Sequence, residues 1–128
     1  MSNQEKDTLI LTLPLSTSVN DTYGLTTKNT SYPIKYVKTK GKEYFKIVNE
    51  YVKTNNFDIQ ANVPLKVEIM ISFASRHKND LDNRLKSLFD ALTRANVWED
   101  DSLIDELHVY RGQVQKPGSM IVKISECK

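Results

Sequence analysis

Hydrophobic and polar positions recur at distinct periods along the chain, and each period predicts an element. From Thr8 to Leu13, residues Leu9, Leu11 and Leu13 share one face, which predicts a strand that Pro14 ends. Residues 15–39 hold no sustained period. They are rich in Ser, Thr, Asn and Lys, with Gly24 and Pro33, and read as a long loop with a short strand near 34–37. A stretch of that kind in a compact domain is usually functional or mobile. Between Lys42 and Lys53, Tyr44, Ile47, Val48, Tyr51 and Val52 follow the 3.6-residue helical period, and Thr54-Asn55-Asn56 is a plausible stop. From Pro64 to Ala74, Leu65, Val67, Ile69, Ile71 and Phe73 alternate with Lys66, Glu68, Met70 and Ser72, the clearest strand pattern in the chain. Leu81, Leu85, Leu88, Phe89 and Leu92 form one stripe of a helix over 81–95. Residues 106–114 and 119–124 read as two strands joined around Pro117-Gly118. The expectation is an α+β fold, a mixed β-sheet with two main helices, in a single domain over 1–128.

Composition narrows the class. The chain has 128 residues, 39% hydrophobic and 27% charged, which suits one globular domain with a real core. The single cysteine, Cys127, excludes an internal disulfide scaffold and cysteine-based zinc sites. No apolar run approaches the ~20 residues of a membrane span, and Met1–Asp7 has no apolar signal core. A cytoplasmic location is the default expectation. The net charge of +2 says little by itself.

Chemistry concentrates between Arg76 and Glu106. Asp80-Leu81-Asp82-Asn83 opens the second helix, and Trp98-Glu99-Asp100-Asp101 follows its end. Oxygen-only carboxylate clusters suit Mg²⁺ or Mn²⁺, hard cations that keep open positions for substrate. At a strand-to-helix junction, carboxylates at i and i+2 can reach one ion. Lys86 follows Asp82 by one helical turn and could steady a phosphate, and Asp90 continues that face. Plainer roles compete: Asn79 or Asp80 as a helix cap, Asp82–Lys86–Asp90 as surface ion pairs, Asp100-Asp101 as a solvated turn. A calcium EF-hand loop is excluded, because its fifth and sixth positions would be Arg84 and Leu85. No Walker loop or G-x-G-x-x-G is present.

Charge distribution adds a second signal. Residues 28–53 contain seven lysines against Glu43 and Glu50, interleaved with Tyr32, Tyr36, Tyr44 and Tyr51. Arg76, His77 and Lys78 precede the first aspartate. Basic side chains beside an acidic metal cluster suit a polyanionic substrate. Lys35, Lys38, Lys40, Arg76, His77 and Lys78 are the candidate phosphate contacts, and His108 reads as a strand side chain.

The motif Asp80-Leu81-Asp82-Asn83-x-x-Lys86, followed by Phe89-Asp90-Ala91-Leu92, Trp98-x-Asp100-Asp101 and Ile104, resembles that of the RusA-type Holliday junction resolvases. These are small endodeoxyribonucleases of bacteria and their prophages. Leu13-Pro14 and Ser18-x-Asn20-x-x-Tyr23 extend the resemblance across nearly the whole chain. It implies a homodimer that binds four-way or other branched DNA and makes paired symmetrical nicks with Mg²⁺ or Mn²⁺. It also implies that Asp80, Asp82 and Asp101 hold the metal, that Lys86 is the essential lysine, and that Asn20 belongs to the DNA-binding set. Asn79 departs from the family, whose members often carry a basic residue at that position. The rivals are a phage-type nuclease of flaps and forks, and a non-catalytic DNA-binding protein.

The element order raises one more expectation. If strand 64–74, helix 81–95 and strand 106–114 form a crossover, Asp101 begins its strand at the end of the sheet opposite Asp80. Residues 96–101 span at most about 20 Å when fully extended. A two-fold dimer with antiparallel helices would instead set Asp101 of one chain beside Asp80 and Asp82 of the other.

Overall fold

A computed structural model describes residues 8–28, 31–76 and 80–127. Strand β1 (Leu9–Leu13) is followed by a one-turn helix α1 (Val19–Thr22), a short hairpin of β2 (Tyr23–Thr26) and β3 (Ile34–Val37), and the long helix α2 (Thr39–Thr54). Strand β4 (Leu65–Ser72) leads through a 3₁₀ turn at Asp82–Arg84 into helix α3 (Leu85–Arg94). A second 3₁₀ turn at Asp101–Leu103 opens β5 (Ile104–Arg111), and β6 (Ser119–Glu126) closes the order. This is the expected mixed sheet with two main helices.

The four-stranded sheet runs β1-β6-β4-β5, antiparallel except for the parallel β4–β5 pair. That pair makes β4-α3-β5 a crossover unit, as the element order implied. One sheet face is apolar. Leu65, Val67, Ile69 and Ile71 of β4 meet Met120, Val122 and Ile124 of β6 and Leu11 and Leu13 of β1, and α2 and α3 close over them with Val48, Val52, Leu88 and Leu92. The other face carries the alternate residues, among them the cross-strand pairs Lys66–Glu106 at 3.9 Å and Lys123–Glu68 at 3.9 Å.

Several boundaries differ from those expected. The region 15–39 is not one loop. Ser18 caps α1 by accepting from the Asp21 N–H, and β2 pairs with β3 in full register. Polar side chains drive this local order, so no hydrophobic period reveals it. Helix α2 starts three residues before Lys42, and α3 is preceded by a 3₁₀ turn instead of beginning as α-helix at Leu81. Strand β5 spans 104–111 instead of 106–114; Ile104 pairs with Leu65, and a bulge follows. Past β5, the Gly112 N–H still donates to Ile71 O at 2.8 Å. A Cβ at Gly112 would stand 2.6 Å from Ser72 Oγ, which accounts for glycine at this close approach. The cis peptide Lys116–Pro117 and Gly118, at φ +94°, form the turn into β6.

Candidate metal and DNA site

The segment leaving the C-terminal end of β4 carries Arg76, Asp80, Asp82 and Lys86. Beyond Ser72 the chain passes Phe73 and Arg76 to Asp80 and Asp82, both exposed, with Asp82 in the first 3₁₀ turn. Among the described residues no side chain caps this turn, so the capping role weighed for Asp80 is not seen. Two guanidinium groups converge on Phe73: Arg84 at 5.8 Å from the ring centroid and Arg111, from the end of β5, at 5.2 Å. Arg84 is also tied to the β1–α1 segment. It donates to Ser16 O at 2.6 Å, while Ser16 Oγ donates to the Arg84 carbonyl at 2.7 Å. Burial pushes the Arg84 guanidinium below its ordinary value, and Asp21 opposes that shift. His77, Lys78 and Asn79 lie outside the described residues.

Lys86 pairs with Asp90 at 3.5 Å, one turn along α3, and not with Asp82 as its spacing also allowed. Tyr23, from the start of β2, donates a hydrogen bond to the same Asp90 carboxylate. Desolvation, with that hydrogen bond second, raises the Tyr23 hydroxyl well above the ordinary tyrosine range. The Tyr23 ring lies under two ammonium groups, Lys35 at 4.2 Å and Lys86 at 5.3 Å. Burial, and next the Lys86 charge, push Lys35 below the ordinary lysine range. The hairpin thus sets a loop lysine against the helix lysine over one aromatic ring. Two crowded ammonium groups sharing a single carboxylate are electrostatically suited to an anion. Sequence spacing revealed Lys86–Asp90 and the basic loop, but not that Tyr23 joins them across 67 positions. Lys38 donates to Asn20 O at 2.7 Å, bringing those two candidates together, and Lys40 is exposed at the start of α2.

Asp101 is elsewhere. Ile104 stands beside Leu65, at the opposite end of β4 from Ser72, and the intervening seven steps cover roughly 23 Å. The approach to Asp101 is fixed. Gln60 N–H donates to Asn96 O at 2.8 Å, Ala61 N–H to Val97 O at 3.0 Å, and Glu99 N–H to Ala61 O at 2.9 Å. Trp98 is fully buried, packs edge-on against Phe89 at 6.0 Å and donates to Thr93 Oγ1 at 2.6 Å. The neighbouring aspartates differ. Asp100 caps the second 3₁₀ turn by accepting from the Ser102 N–H at 3.0 Å; hydrogen bonding with the Ser102 side chain, and next with its backbone, holds the Asp100 carboxyl below the usual range, while Asp101 is half-buried within the turn. Among the described residues no three of His, Cys, Asp and Glu gather closely enough to hold a metal ion. Asp80 and Asp82 are a hard oxygen pair of the kind Mg²⁺ takes, but among the described residues no third carboxylate joins them in a cluster. No helix among the described residues is long and apolar enough to cross a membrane.

Comparison with known proteins shows the family. The family model described as endodeoxyribonuclease RusA matches residues 15–125. A crossover junction endodeoxyribonuclease RusA of Escherichia coli O139:H28 is 33% identical over 120 residues, covering 94% of this chain and 96% of its own length. The protein of the same name from Shigella sonnei is 32% identical over the same shares. One from Enterobacteria phage HK97 is 33% identical over 91 residues, covering 71% of this chain and 76% of its own. The chain belongs to the endodeoxyribonuclease RusA family.

Proposed function

We propose that this protein is a metal-dependent endodeoxyribonuclease that resolves Holliday junctions by paired, symmetrical nicks, working in the cytoplasm as a homodimer. The observation that carries the reading is the exposed pair Asp80 and Asp82 at the β4–α3 junction, followed on α3 by Lys86, which Asp90 holds and Lys35 joins over the Tyr23 ring. Carboxylates for a cation, with ammonium groups for phosphates, are what hydrolysis of a polyanion needs.

Asp80 and Asp82 would hold Mg²⁺, with Mn²⁺ able to replace it, and Asp101 of a second copy would complete the ligand set. When bound, the ion lowers the pKa of a water nucleophile and stabilises the departing 3′-oxygen of an in-line displacement. Lys86, held by Asp90 over the Tyr23 ring, neutralises charge on the scissile phosphate. Lys35, Lys38, Lys40 and Arg76 would neutralise neighbouring phosphates and fix the register of the junction arms. The products are nicks with 5′-phosphate and 3′-hydroxyl ends. A two-fold dimer matches a four-way junction, which needs two symmetry-related cuts.

The test is cleavage of an end-labelled synthetic four-way junction, beside fork, flap and linear duplex controls, with Mg²⁺ or with EDTA. Symmetrical nicks in the junction alone, lost in EDTA, are expected. Equal cutting of forks and flaps would replace the resolvase by a broader structure-selective nuclease. Tight binding without cutting in either metal would reduce the protein to a DNA-binding module.

A further inference from the structure

The base of the β2–β3 hairpin is held from two sides. The Lys38 N–H donates to Thr22 O at 2.8 Å, which ties the end of β3 to α1. Gly41 lies inside α2, where glycine is a poor helix former. A Cβ there would stand 2.8 Å from Thr22 Cγ2 and 3.0 Å from Val37 Cγ1, so its absence lets the hairpin base settle on α2. Lys35 lies opposite Leu25, two positions from the Tyr23–Val37 pair. Lys35 and Tyr23 are therefore diagonal neighbours on one face of the hairpin, and the Tyr23 hydrogen bond to Asp90 turns that face to α3.

Lys35 Nζ stands 4.2 Å and Lys86 Nζ 5.3 Å from the Tyr23 ring centroid. Lys86 Nζ is 3.5 Å from Asp90 Oδ2, beyond the about 2.7–2.9 Å of a charge-assisted hydrogen bond, and the Tyr23 hydroxyl donates to that same oxygen. Asp90 thus holds Lys86 loosely and leaves its N–H groups for a further acceptor. Among the described residues Lys35 pairs with no carboxylate. Two ammonium groups against one carboxylate leave a positive charge over. Desolvation, and next the Lys86 charge, hold Lys35 below the ordinary lysine range, so an anion between the two would relieve their repulsion. Lys38 is placed differently, with its ammonium turned to Asn20 O.

We propose that Lys35 and Lys86 grip one phosphate together, the scissile one, which makes Lys35 a catalytic residue delivered by the hairpin in addition to a contact along the DNA. This rests on the nuclease reading above. A phosphodiester brings a single negative charge, which the surplus charge of the cluster matches. As water adds to phosphorus and the bond to the 3′-oxygen breaks, further negative charge gathers on the non-bridging oxygens. Two ammonium groups already fixed over one ring meet that charge without rearranging, which is where electrostatic stabilisation is most effective. The nicked 5′-phosphate end is a monoester with more charge than the diester it came from, and the same two groups hold it. Free inorganic phosphate has that chemistry without the DNA.

The test begins without DNA or metal. In a phosphorus NMR titration the whole chain is expected to bind inorganic phosphate with a roughly millimolar Kd. Lys35→Ala and Lys86→Ala are each expected to weaken that binding about 10-fold or more, and Lys35→Arg to keep it. Lys53→Ala, whose partner Asp58 lies at 3.7 Å near the far end of α2, is the charge control and should bind as the parent does. Cleavage of a four-way junction with Mg²⁺ is then followed in single turnover at saturating protein. Lys35→Ala is expected to slow it by about 10²-fold, with a much smaller rise in junction Kd, and Lys35→Arg to recover most of the rate. A parent chain that binds no phosphate, or a Lys35→Ala chain that binds it equally well, would overturn the shared site. So would a Lys35→Ala chain that cuts at the parent rate once saturated, which would leave Lys35 a flanking contact only. Phosphate binding that needs both lysines, in a protein that cuts no junction, would leave the anion site standing and sink the nuclease reading.

Discussion

Mixing two inactive variants is expected to restore activity. Asp82→Asn removes a ligand at the end of β4, and Asp101→Asn removes one from the start of β5. Folding Asp101 back to its own Asp80 would have to cover roughly 23 Å along the sheet. It would also break the bonds of Asn96, Val97 and Glu99 to residues 60–61 and withdraw fully buried Trp98. Losing the packing of a buried Trp alone costs about 3–5 kcal/mol, before the backbone bonds are counted. A site shared between copies avoids that cost. After co-refolding in equal amounts, random pairing makes about half the dimers mixed, and each mixed dimer holds one intact and one doubly damaged site. Roughly a quarter of the wild-type site number should return. A supercoiled plasmid carrying a cruciform distinguishes the products, because one working site gives nicked circles and two give linear molecules. Nicked circles without linear product are expected, with subunit exchange confirmed by pull-down of a tagged copy. If exchange occurs and no nicking appears, each site belongs to one chain and the argument from strand register fails.

Other outcomes follow from single features. Asp82→Asn alone should abolish cutting while junction binding by gel shift is kept or tightened, since a negative charge near phosphate is gone; near-normal cutting would remove Asp82 from the metal set. Replacing Lys35, Lys38 and Lys40 by Ala should weaken binding and flatten the slope of log K against log salt by up to about 0.9 per lost contact, whereas an unchanged slope would make them a solvated surface. Asp90→Asn should misplace Lys86 and slow single-turnover cleavage by up to about 10²-fold with little change in binding, and Tyr23→Phe should do the same more weakly. Trp98→Ala should lower unfolding free energy by about 3–5 kcal/mol in urea titration.

Much of this architecture could be read from the chain. The alternation at 65–73 and the stripe Leu85-Leu88-Leu92 are burial patterns, and β4 and α3 formed where the periods put them. The crossover followed from element order alone. Strand β3 lies at the expected 34–37, but α1 and the pairing strand β2 escaped, because polar side chains order that segment and no buried face imprints a period on it. The Asp80-x-Asp82 pair and Lys86 stood out by spacing. The Tyr23–Asp90 link did not, because a contact between residues so distant in sequence leaves no local signature. Asp100 and Asp101 look alike in sequence, and only the 3₁₀ turn separates the cap from the free carboxylate.

The strand order β1-β6-β4-β5 also bears on how the molecule is made. Strand β6, the last of the strands to leave the ribosome, is the one that lies between β1 and β4. Until residues 119–126 emerge, β1 has no neighbour and the β4-α3-β5 unit has an unpaired flank. The pairing of Leu9 with Ile124 closes a loop that is nearly the whole chain, so sheet completion carries a large chain-closure entropy and should be slow. Folding is therefore largely post-translational. A nonsense mutation between the end of β5 and Ser119 leaves β1 without a neighbour and the flank of β4 uncovered in place of a smaller enzyme, and such fragments are aggregation-prone.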